Sequence, residues 1–223
     1  MRASRIVLAV VSLALLGALG WYLLSSSPAT TSTTSSAPTT TTLPANFTAV
    51  WPTTTGTKRF ASPTAVVRAF ATRYLGMNNP IVHAFQAGDT RSGEVPVQTS
   101  TKGVVTTVLV RQLLSDNSWW VLGAVTPDIQ ITAPHALALV TSPLNLTGRG
   151  TAYEGVINVS LRRDRGAPVA NATVMGAMGF MAPFHTSLAF TTPSSQFGAL
   201  VLCAKSAKDG STVYATVIRV RFH

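Results

Sequence analysis

Three observations predict a mainly β protein. From Ile129 to Phe222, short apolar runs alternate with Ser-Pro, Gly and Asp-Gly turns, the punctuation of an all-β sandwich. Between Tyr153 and Arg162, Tyr153, Gly155, Ile157, Val159 and Leu161 fall on one side, and Glu154, Asn158, Ser160 and Arg162 on the other. That period of two marks a strand with one buried and one wet face. Beyond the N-terminal apolar run, helical spacing shows clearly once, after Ser62-Pro63.

The elements are taken in order. Arg2 and Arg5 precede Ile6 to Leu24, 19 residues without a charge, which at about 1.5 Å per residue span roughly 28 Å as a helix. Residues 1–24 are therefore expected to be a membrane anchor, with the positive flank kept inside and the rest sent across. A signal peptide cleaved near Gly20, after the small residues Ala18-Leu19-Gly20, is the rival expectation and would give a secreted protein. Residues 25–59 are expected to be a disordered linker. From Ser25 to Ala45 they are almost wholly Ser, Thr, Pro and Ala, too polar to offset chain entropy by burial; as a flexible coil 21 such residues reach roughly 25 Å. O-glycosylation of this stretch is left open.

Residues 60–126 read as a small α+β module. Ser62 caps a helix with Pro63 in its first turn. Val66, Val67, Phe70, Tyr74 and Leu75 share its apolar face, and Gly76 closes it. Three runs then read as an antiparallel sheet, Gly93 to Thr99, Val104 to Leu114 and Trp119 to Val125, with Ser115 to Ser118 as a hairpin turn. Trp119-Trp120 is expected to put one indole in the core and the other on a surface or junction, because strand neighbours face opposite ways. The outer indole is a candidate partner or glycan contact.

Residues 127–223 are expected to form the sandwich from seven strands: 128–132, 144–148, 153–162, 170–175, 184–190, 199–204 and 212–222. Arg219 and Arg221 are assigned to the wet face of the last. The single cysteine, Cys203, lies in the apolar run Leu200 to Ala204 and reads as a buried thiol, with no cationic or histidine neighbour to make it a nucleophile. Arg162-Arg163-Asp164-Arg165 is the densest charge cluster. It reads as a solvated hairpin turn, with Arg162, Arg163 and Arg165 as candidate partner contacts.

The order and spacing of Ser142-Pro143-Leu144 with Gly148, Ala152-Tyr153-Glu154-Gly155, Pro183-Phe184 with Leu188 and Phe190, and Ser206 with Asp209-Gly210-Ser211 resemble the immunoglobulin-like domain of bacterial spore germination. The resemblance covers about 129–222. It implies an immunoglobulin-like β-sandwich in a bacterial envelope protein and carries no catalytic residue onto this sequence.

Composition narrows the function classes. The formal charge is +10; setting aside Arg2 and Arg5 leaves 15 basic against 7 acidic residues, or +8. Outside a membrane such a surface suits anionic lipid or wall polymer. No nucleic-acid module signature occurs, and no nucleic-acid partner is expected. His83, His135, His185 and His223 are scattered, and no Gly-x-Ser-x-Gly stretch exists, so neither a two-histidine metal helix nor a serine hydrolase elbow is written here. Glu94 and Glu154, the two glutamates, would revive a glycosidase reading only if the fold joined them. The expectation is a non-catalytic, single-pass cell-envelope protein without a cofactor. Its partner would be an envelope protein or, alternatively, an anionic wall polymer or glycan.

Overall fold

The computed structural model describes residues 45–53, 56–165 and 167–223. The expected anchor over 6–24 and the tether up to residue 44 lie outside them. Among the described residues no helix is long and apolar enough to cross a membrane.

Helix α1 (Pro63–Ala69) continues as a wider turn over Phe70–Leu75. Ser62 caps it, its Oγ accepting from the Ala65 amide at 3.2 Å, and Gly76 ends it at φ 72°, a left-handed value that glycine adopts without a Cβ penalty. Strands β1 (Ile81–Val82), β2 (Gln86–Ala87), β3 (Ser92–Gln98), β4 (Thr106–Gln112) and β5 (Trp119–Val125) follow. Then come β6 (Ile129–Ala133), β7 (Leu139–Val140), β8 (Leu144–Gly150), β9 (Val156–Arg163), β10 (Pro168–Met175), β11 (Ala182–Leu188), β12 (Phe197–Lys205) and β13 (Thr212–Phe222). All seven expected sandwich strands are present. The short strands β1, β2 and β7 carry too few residues for a period to show.

The α+β strands and the sandwich strands share one sheet, ordered β1-β3-β4-β5-β13-β12-β9-β10. A second sheet, β11-β8-β6, lies against its C-terminal half. Two cores result, one on each side of the large sheet. Val66, Val67, Phe70 and Leu75 of the helix pack with Val108, Val121, Val201, Cys203 and Val217; Leu146, Phe184 and Leu188 pack with Ile157, Leu161, Leu200, Leu202 and Val220. Strands β12 and β13 supply both cores, which is why Ala199 to Ala204 is apolar at every position instead of alternating. Covering both faces of the central strands is what the α+β module adds, since either half alone would leave one of these faces wet.

Three sequence expectations are corrected. The stretch assigned to the linker is laid down from Phe47 onward: Val50 donates to the Val121 carbonyl at 2.8 Å, Val121 donates to that of Trp51 at 2.7 Å, and Ala49 and Val50 are buried. It lies where β5 and β13, registered only at Val217 and Ala124, leave strand edge to be satisfied. Arg219 is 3% exposed, not on a wet face, because this segment and the 163–168 hairpin cover it. Tyr153 does not belong to the strand; it is 68% exposed in a turn over Tyr153–Gly155, and β9 starts at Val156. Glu154 at φ 59° and Gly155 at φ 70° break the extended geometry that alternation alone implied.

Candidate functional site

The arginine hairpin splits into inward and outward members. Arg162 Nη1 donates to the Tyr74 carbonyl at 2.7 Å, and its guanidinium lies 4.8 Å from the Tyr74 ring centroid. This joins β9 to the end of the helix. Burial pushes the Tyr74 phenol up to about 12, partly opposed by the positive charge of Arg162. Asp164 also turns inward and forms a two-pronged ion pair with Arg219, one arm of it 2.9 Å between Nη2 and Oδ2. Arg219 Nε donates to the Phe47 carbonyl at 2.9 Å, and its guanidinium stacks 5.2 Å from the Phe197 centroid. Arg163 and Arg165 are exposed. The hairpin is thus a structural clamp whose alternate members face outward.

Both indoles of Trp119-Trp120 are buried, at 8% and below 1% exposed, so the expected outward indole is corrected. Trp119 packs in the helix-side core with the Phe85 ring 5.1 Å away. Trp120 is on the other side, under the Arg59 guanidinium at 5.2 Å, with its indole N–H donated to Ser118 Oγ at 3.1 Å. Arg59 is held there by Asp116 at 3.0 Å. A charged side chain covers the ring that strand alternation pointed outward.

The motif residues of the sandwich are structural. Ser142 Oγ accepts from the Phe190 amide at 2.9 Å. The Phe184 ring and the Gln130 carbonyl occupy the space that a Cβ on Gly148 would need, which is a packing reason for glycine. Asp209 accepts from the amide and hydroxyl of Ser211 and from Asn78 at 2.8 Å; the Ser211 bonds hold its carboxyl far below the usual range. These residues close turns and tie the sandwich to the helix module.

The two glutamates and the four histidines stay apart among the described residues. Glu94 is exposed on β3 and Glu154 in the turn before β9, five strands away along the sheet order. Glu94 lines a groove with Gln86, Leu109 and Arg111, without Glu154. His83 bonds the Gln98 side chain at 2.8 Å, and His135, His185 and His223 are exposed. Among the described residues no group of three or more His, Cys, Asp and Glu side chains is placed to hold a metal. Burial pushes the Cys203 thiol up, away from a reactive thiolate.

Two surface features of the sandwich bear on binding. One is a polar groove of about 470 Å³ on the outer face of β9 and β10, lined by Asn158, Ser160, Arg162, Asn171, Thr173 and Lys205 among others. The other is an apolar tip at the end of the sandwich farthest from the 163–168 hairpin. There Tyr153, Met175, Met178 and Phe180 are 68%, 58%, 68% and 66% exposed. The two loops bearing them interlock through hydrogen bonds: the Ala152 amide donates to the Ala177 carbonyl at 3.0 Å, the Gly176 amide to the Gly155 carbonyl at 2.8 Å, and the Gly179 amide to the Thr151 side-chain Oγ1 at 3.2 Å. Four large apolar side chains are therefore held outward on hydrogen-bonded turns. The sequence carried the signal: Gly176-Ala-Met-Gly-Phe-Met181 is an apolar stretch where a strand connection is ordinarily polar.

Strands β6, β8 and β11 facing β9, β10, β12 and β13 make a three-on-four antiparallel sandwich of the immunoglobulin-like class. Residues 128–211 match the family model of the immunoglobulin-like domain of bacterial spore germination, a non-catalytic type of fold. The match agrees with the resemblance carried by Ser142 to Ser211. It covers less than two fifths of the chain and stops before β13, the strand that continues the sheet into the helix-bearing half. No curated protein and no solved structure matches the chain.

Proposed function

We propose that this is a non-catalytic, membrane-anchored protein of the bacterial cell envelope, whose immunoglobulin-like domain holds a protein partner by its apolar tip. The observation that carries this reading is the exposure of Tyr153, Met175, Met178 and Phe180 on interlocked loops. Clustered exposed apolar side chains are costly in water and mark contact surfaces, and flexible Met side chains adapt to a partner's shape. The partner is a protein with an apolar surface, not the anchoring bilayer. The chain joins the body at the opposite end, about 35 Å away along the eleven residues of β13. Photo-crosslinking from Phe180 in living cells, in the full-length chain, is expected to yield a discrete protein adduct. It should disappear when Met175 and Met178 are changed to Ser without a drop in melting temperature. Persistence of the adduct in that variant, or no adduct at all, would overturn the reading.

A second reading, a wall-polymer binder, is favoured by the polar groove, where Arg162 and Lys205 stand among amide and hydroxyl side chains. It requires salt-sensitive sedimentation with isolated walls that Lys205→Ala and Asn171→Ala weaken.

A further inference from the structure

We propose that the end of the body at which the chain joins rests on anionic lipid headgroups, so that the domain stands on the membrane with its apolar tip outward. This rests on the membrane-anchored reading above and adds an orientation and a lipid class to it. The join is marked by Phe47 and Thr48. Phe47 is fixed to the arginine hairpin: its carbonyl accepts from Arg219, whose partner is Asp164, and its ring lies 5.6 Å from Phe197. Thr48 lines a cleft of about 340 Å³ with Arg91 and Arg111. On the same end, Phe60 accepts from the Trp119 amide and Arg59 pairs with Asp116.

Toward this end of the sheet stand six exposed cations, Lys58, Arg59, Arg91, Arg111, Arg163 and Arg165, against three exposed carboxylates, Asp89, Glu94 and Asp116. Asp164 is spent on Arg219. The far end differs. Lys102, Arg149, Lys205 and Lys208 there face Asp128, Glu154 and Asp209, leaving a balance near neutral. Positive charge is thus concentrated at the end of the body where its first described residues, Ala45 to Thr48, lie. Basic groups held within about a Debye length of an anionic leaflet are attracted to it, and more distant ones are screened. Two of the arginines are held on the folded surface: Arg91 donates to the Leu114 carbonyl at 3.0 Å and Arg59 is stacked on Trp120. Positive charge spread across one end of the sheet, from β3 and β4 to the β9–β10 hairpin, fits a flat anionic surface better than it fits a single polymer strand.

The full-length chain, reconstituted in nanodiscs carrying a headgroup fluorophore, tests this. A donor dye is placed at Ser115→Cys on the near end or Lys208→Cys on the far end, the native thiol being buried. In discs containing phosphatidylglycerol, energy transfer from the near-end dye is expected to exceed that from the far-end dye severalfold. The difference should collapse in pure phosphatidylcholine, in about 0.5 M salt where the screening length falls to roughly 4 Å, and in the Arg163→Glu, Arg165→Glu variant. Equal transfer from the two dyes in anionic discs, with the chain retained, overturns the proposal and leaves the anchor standing. A chain that does not co-elute with the discs removes the anchor and the proposal together. Orientation that appears only after anionic wall polymer is added would overturn it in favour of the polymer.

Discussion

The two ends of the folded body invert the usual placement of residue types. At the near end an arginine, Arg219, is as deeply buried as the core around it, while at the far end a phenylalanine, a tyrosine and two methionines are more than half exposed. Charge and hydropathy alone would assign each group to the opposite place. The difference lies in what the backbone offers. Near the join, carbonyl groups of Phe47 and Gly198 and the Asp164 carboxylate supply acceptors for a guanidinium, so a buried cation is paired and hydrogen-bonded. At the far end the loops satisfy their own amides and leave side chains nowhere to go but out.

The strongest break in that comparison is Asp164→Ala. It leaves the Arg219 guanidinium buried with carbonyl acceptors but no counter-charge, and stripping one partner from a buried pair costs about 3–5 kcal/mol. For a body of this size each kcal/mol lowers the melting temperature by about 2–4 °C. A fall of about 10 °C is therefore expected in thermal unfolding. Replacing both partners, Asp164→Leu with Arg219→Met, should recover part of it, because the desolvation cost goes with the charges. A loss under about 1 kcal/mol in Asp164→Ala would show the pair to be solvated.

How much of this was legible follows the same line. The outer sandwich strands could be read because one face of each is wet and the alternation survives, as in Ile157, Val159 and Leu161 of β9. The capped helix from Ser62 to Gly76 could be read from its punctuation. The role of Arg219 could not, because burial there comes from Phe47 and Asp164, remote in sequence, and a period of two cannot report a second layer. A clue did exist in β12, whose unbroken apolar run from Ala199 to Ala204 said that its face away from the sandwich core was covered. Trp120 failed for a related reason: alternation correctly pointed it away from Trp119, but the covering group is Arg59, a charged residue that no apolar pattern would reveal. Within the candidate site, the arginine cluster was found by density and divided only by the fold, while the apolar tip was masked by reading Tyr153 into the strand.

An alkaline titration sharpens the comparison at intermediate size. Burial raises the phenols of Tyr74 and Tyr214 to about 12, above the ordinary value near 10. With folded values above unfolded ones, their contribution to stability is complete below pH about 10 and is lost as pH rises toward 12. Midpoints of chemical unfolding should fall across that window, and Tyr74→Phe should flatten the slope. An unchanged slope in that variant would place Tyr74 in solvent and weaken the case that Arg162 seals it.

The smallest effects are expected from outward-facing residues, and neighbours in the hairpin make the cleanest pair. Arg162→Ala removes a charge-assisted bond to the Tyr74 carbonyl and the stacking on its ring, a loss of about 2 kcal/mol. Arg163→Ala, one residue on and exposed, should stay within about 0.5 kcal/mol, as surface substitutions usually do. Met178→Ser at the far end belongs with Arg163, since a side chain that is 68% exposed contributes little to the fold. If Met178→Ser destabilised as much as Arg162→Ala, the tip would be part of the folded core and not a surface held out for a partner. Stability measured on these three variants therefore separates what each end spends on holding itself together from what it leaves to bind.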